Sequence, residues 1–118
     1  MIPAHWIDHR RTGDGERLGW IAERGDEFDA IDLLGRVIAR RVDWVAAERA
    51  LETAGIGYLA EPYELEVAPG EWLPVRLVEV SPDGIRLKGE DYGDMTADVP
   101  SYEVEFPLPA TVRARQRR

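Results

Sequence analysis

One stretch limits what this chain can fold into more than any other: WLPVRLVEVSPDGIRLK, residues 72–88. Two runs rich in branched apolar residues flank Ser81-Pro82-Asp83-Gly84. Pro82 presets φ for the first central turn position, Asp83 suits the second, and glycine closes the turn without a side-chain clash. The stretch therefore reads as a β-hairpin. A four-residue loop sets Val80 opposite Ile85, Glu79 opposite Arg86 and Val78 opposite Leu87, with aliphatics on one face and a charge pair on the other. A type I turn with a bulge at Gly84 sets Glu79 opposite Leu87 instead. Either way the first strand carries apolar residues on both faces, as a central strand or one in a small closed barrel would.

Turn chemistry divides the remaining chain into short extended segments. Residues 5–11 form a first strand, ended by Thr12-Gly13-Asp14-Gly15. Residues 17–34 form a second hairpin around Gly25-Asp26, with glycine at the position a type II′ turn requires. Counting outward sets Arg24 opposite Glu27, Trp20 opposite Ile31 and Leu18 opposite Leu33. The spacing of Phe28, Ile31, Leu34 and Val37 also fits a helix over 28–38, but Gly35 interrupts it, and the strand reading is preferred.

A helix is expected over 44–54. Asp43 is a good N-cap, and Trp44, Ala47, Leu51 and Ala54 make an apolar stripe. Gly55 suits the left-handed C′ position, which would pack Ile56 on Leu51. Tyr63 to Val67 and Tyr102 to Phe106 alternate apolar and acidic residues and read as half-exposed strands. A polar loop spans 89–101, and residues 110–118 read as a mobile basic tail with nothing to bury. The expected fold is α+β: about six to seven short, mainly antiparallel strands in a sheet or small barrel, with one amphipathic helix near 44–54. At this length the expectation is a single globular domain over 1–109, followed by the tail.

The chemistry the sequence offers is sparse. The chain has no cysteine, which removes disulfides, thiol catalysis and cysteine-ligated zinc, and suits a reducing compartment. No apolar run reaches signal-peptide or membrane-spanning length, so the cytoplasm is the expected location. His5 and His9 share a strand face with Asp8 nearby, but a zinc site lacks its third ligand, and two surface histidines are the plainer reading. The acidic groups Asp26-Glu27-Asp29-Asp32 and Glu90-Asp91-Asp94-Asp98 match no calcium-loop spacing and read as solvated surface. Ser81 and Ser101 each lie beside a proline without nucleophile-elbow glycines. No phosphate loop, metal site or cofactor motif is recognisable, and a catalytic role is not expected.

A net charge of −8 disfavours general affinity for nucleic acid or an anionic membrane. Arg113, Arg115, Arg117 and Arg118 concentrate positive charge at the C-terminus, against 11 basic and 23 acidic residues elsewhere. A winged-helix arrangement would present Glu48 and Glu52 from its recognition helix, the wrong sign for a major groove. Of the four tryptophans, Trp20 and Trp44 fall on apolar faces, while Trp72 beside a turn is the candidate for surface contact. The leading expectation is a small, soluble, non-catalytic acidic protein whose strand edges or acidic surface meet another protein, with Trp72, Arg113, Arg115, Arg117 and Arg118 as candidate interaction residues. The alternatives are a ligand-binding protein or enzyme with a pocket beneath the helix, and weak nucleic-acid association through the tail.

Overall fold

The computed structural model describes residues 2–59, 61–90 and 98–115. It is an α+β protein with two antiparallel sheets and one helix. The strands are β1 (Ile7–Arg10), β2 (Arg17–Arg24), β3 (Glu27–Asp32), β4 (Val37–Val42), then helix α1 (Trp44–Ala54) and a single 3-10 turn, Gly57–Leu59. They are followed by β5 (Tyr63–Ala68), β6 (Glu71–Ser81), β7 (Gly84–Gly89), β8 (Ser101–Val104) and β9 (Val112–Ala114). The chain divides into two compact units, Met1–Tyr58 and Leu59–Arg118.

The first unit is a meander in the order β1-β2-β3-β4, with α1 against one face. The β2–β3 turn follows the sequence reading: Arg24 faces Glu27 and Trp20 faces Ile31. Gly25 has φ 65° and Asp26 a negative φ, the combination of a II′ turn. Leu33 has no partner in this ladder, because β3 ends at Asp32 opposite Gly19 and the chain turns through Leu33 and Leu34. Residues 28–38 are thus strand, turn and strand, with Gly35 at φ 82° in the turn. β4 was not foreseen. Arg41 adopts φ 51° and the pairing with β3 shifts register twice, so the strand lacks the alternation that would have revealed it.

Helix α1 has the predicted bounds. Asp43 accepts a hydrogen bond from the N–H of Ala46 at 2.7 Å, and Gly55 (φ 52°) donates to the Leu51 carbonyl at 2.8 Å. Ala47 and Leu51 pack on Leu18, Ile21 and Ala30, with Phe28, Val42 and Trp44 around them; the Trp44 and Phe28 rings meet edge to face. The buried stripe is shorter than expected. Ala54 is exposed and Ile56, expected on Leu51, is 46% exposed: Gly55, at φ 52° and ψ −133°, does not adopt the left-handed helical conformation of a Schellman end. Replacing Asp43 with alanine is expected to cost about 1 kcal/mol, read from the urea midpoint; no change would show that the cap contributes nothing.

The acidic group at 26–32 is not uniformly solvated, contrary to the sequence reading. Asp29 and Asp32 are buried. Asp29 accepts from Arg24 Nε at 2.9 Å and from the Arg41 N–H at 3.0 Å. Asp32 accepts from the N–H groups of Leu34 and Arg36 and from Arg36 Nε at 2.8 Å. Each carboxylate ties down a backbone segment that sheet bonding leaves unpaired: the left-handed Arg41 and the β3–β4 turn.

The second unit is a five-stranded sheet in the order β8-β7-β6-β5-β9. Its opening hairpin pairs Val80 with Ile85 and Glu79 with Arg86, and Ser81 with Gly84 across Pro82-Asp83. Ser81 Oγ accepts from the Asp83 N–H, which stabilises the turn. One residue further the sequence reading fails: Leu77, not Val78, lies opposite Leu87. Val78 bulges out, 51% exposed. The bulge explains apolar residues on both parities of β6 without a barrel. It keeps Val75, Leu77 and Val80 on the face that holds Tyr63, Leu65, Ile85, Leu87 and Val112. The opposite face carries Glu64, Trp72, Arg76, Glu79, Arg86, Lys88, Glu103 and Arg113.

Residues 110–118 were read as a mobile tail, yet Val112–Ala114 pairs with β5 and Val112 is buried. The Arg115 N–H donates to the Pro62 carbonyl. A three-residue strand with one apolar side chain is too short for a periodicity signal.

Candidate functional site

The outer face of the second sheet carries charge in rows. Glu79, Arg86 and Glu103 are directly opposite one another on β6, β7 and β8, with Arg86 3.3 Å from each carboxylate. On the other side, Arg113 of β9 lies opposite Glu64 of β5, its Nε 2.5 Å from the carboxylate. The Arg113 guanidinium stacks 3.7 Å from the centroid of Trp72, so the indole forms the platform of a cation–π pair. Two of the sequence-nominated residues, Trp72 and Arg113, are therefore brought together. Arg115 lies just past β9, and Arg117 and Arg118 are outside the described residues.

Beside the β6–β7 turn an open groove of about 400 Å³ is lined by Glu79, Asp83, Arg86, Glu103 and Glu105, together with Ile85 and Val104. Four carboxylates and one guanidinium line it, and the guanidinium pairs with two of them, Glu79 and Glu103. The groove runs beside β8, an edge strand whose Glu103 side chain is 76% exposed. The Gly89 N–H donates to the Pro100 carbonyl, and antiparallel alternation then turns the N–H and C=O of Ser101 and Glu103 toward the free edge. The groove thus offers carboxylates together with backbone groups that no strand among the described residues pairs, which suits an extended cationic segment. Sequence reading missed it because Glu79 and Glu103 are 24 positions apart and Glu105 follows a strand end.

The histidines do not converge. His5 is exposed in a turn, whereas His9 reaches α1, with Nδ1 3.8 Å from Glu48 and Nε2 3.8 Å from Glu52. Nε2 is buried without a hydrogen bond. Each nitrogen faces a different carboxylate, and no metal-holding group of three is found among the described residues. The space beneath α1, where a ligand pocket was considered, is filled by Leu18, Ile21 and Ala30. A shallow depression of about 460 Å³ lies on the helix's outer flank, lined by Ile38, Arg49 and small residues. No helix among the described residues is long and apolar enough to cross a membrane.

Known protein families, curated proteins and solved structures provide no match to this chain.

Proposed function

We propose that the protein is a non-catalytic binding module, working in a reducing compartment such as the cytoplasm. Its acidic groove between the β6–β7 turn and β8 receives an extended basic segment of a protein partner. The observation that carries this reading is the placement of Glu79, Asp83, Glu103 and Glu105 with a single arginine, beside an edge strand. Carboxylates at this density steer cationic partners to the groove, and the edge supplies main-chain hydrogen bonds once they arrive.

The test is fluorescence anisotropy of a labelled oligoarginine peptide. Binding is expected to weaken steeply with salt. Glu103→Lys should reduce affinity about tenfold or more, whereas Asp26→Lys, the same change of net charge in the first unit, should have a much smaller effect. Equal effects of the two variants would reduce the interaction to net charge and remove the groove from it.

A further inference from the structure

Among the described residues the five-stranded sheet ends in two edge strands whose charges are opposite. Strand β8 presents Glu103, with Glu105 just beyond it, and β9 presents Arg113, with Arg115 just beyond it. Glu103 and Arg113 lie on the same outer face, and both side chains are more than half exposed. In the two rows that reach these edges the paired charges alternate in sign, Glu103–Arg86–Glu79 inward from one edge and Arg113–Glu64 inward from the other, while Arg76 and Lys88 between them are a like-charged pair. An arginine placed outside β8, or a glutamate outside β9, would continue the alternation.

The backbone agrees with this. Four antiparallel steps separate β8 from β9, so the two strands run parallel. The Glu66 N–H donates to the Thr111 carbonyl and the Arg115 N–H to the Pro62 carbonyl. Alternation then turns the Val112 C=O and the Ala114 N–H and C=O away from β5, toward the free edge. In a parallel pair one residue bonds to the two that flank its opposite number. With Glu103 opposite Arg113, the Glu103 N–H reaches the Val112 carbonyl and the Ala114 N–H reaches the Glu103 carbonyl. The Val112 N–H, already held by Pro109, is not required. This register also sets Glu105 opposite Arg115.

From this geometry we propose that the basic segment that occupies the groove edge is supplied by a second copy of the chain, β9 of one molecule adding in parallel to β8 of the next. The inference rests on the groove reading above and names its partner. Like edges are disfavoured from pairing with each other, since β8 beside β8 brings glutamates together and β9 beside β9 brings arginines together. The contact is heterologous and extends to a ring or an open chain. Two short edges bury far less than the roughly 1,000 Å² of a stable interface, so association is weak and dependent on concentration.

Sedimentation velocity over a concentration series tests it. The wild-type weight-average mass should rise with concentration at low ionic strength and return to the monomer value in high salt. Glu103→Arg alone and Arg113→Glu alone should each associate about tenfold more weakly or less. An equimolar mixture of the two variants restores one complementary edge pair in each direction and should regain association. Thermal melts by circular dichroism establish that each variant is folded. A wild type that stays monomeric throughout, variants that associate like wild type, or a mixture no heavier than its components would each overturn the proposal. If the wild type is monomeric while oligoarginine still binds and Glu103→Lys abolishes that binding, the self-association fails alone. Loss of selective oligoarginine binding would remove the groove reading itself.

Discussion

Gly19→Ala is expected to be the most damaging single substitution in the first unit, costing about 3 kcal/mol or more. Gly19 has φ 150°, and a methyl carbon built on it would lie 2.0 Å from the Ile31 carbonyl oxygen and 3.0 Å from Leu51 Cδ2. The first neighbour is backbone in a central strand, so it cannot swing aside as a flexible side chain would. Relief requires separating β2 from β3 or lifting α1 off the sheet, and both open the cluster of Leu18, Ile21, Ala30 and Leu51. The measurement is urea unfolding followed by far-ultraviolet circular dichroism and tryptophan fluorescence, with Trp20 in the affected strand. A loss below about 1 kcal/mol would mean that the close approach is not maintained in solution.

Asp29→Ala should follow, at about 2–3 kcal/mol, because it strands the Arg41 N–H and removes the carboxylate that Arg24 binds. Burial alone would raise this carboxyl's pKa. The hydrogen bonds from Arg24 and from the Arg41 backbone, with the charges of Arg24 and Arg40, outweigh burial and hold it below the usual value. A depressed folded-state pKa contributes stability that is fully present above the unfolded carboxylate pKa, near 4, and is lost as pH falls through the lower folded value. Urea midpoints measured from neutral pH into that acid range should therefore fall more steeply for wild type than for Asp29→Ala. Parallel curves would assign the role of Asp29 to packing rather than to charge.

Both positions show which parts of the fold the sequence made legible. The hairpins at Gly25-Asp26 and Pro82-Asp83 and the helix between Asp43 and Gly55 were readable because each rests on local chemistry: a turn glycine, a cap, a stripe. The buried roles of Asp29 and Asp32 were not readable. Their partners, Arg41 and the Leu34 and Arg36 amides, are backbone groups that no composition or spacing announces. Strand β4 was hidden by the left-handed Arg41, and β9 by its length. The candidate groove lay deeper still. It is a property of register, and register past Val78 depends on a residue that local pattern assigned to the ladder.

That one valine has a consequence for the whole sheet. By standing aside at Val78, the strand changes parity: Leu77 and Glu79, two apart and so expected to share a side, end up on opposite sides. Were the same run of letters to pass straight through without that bulge, Glu79 would be thrust into the oily layer and Val80 into the charged lattice. The surface chemistry of this protein is set by a count, as much as by the residues counted.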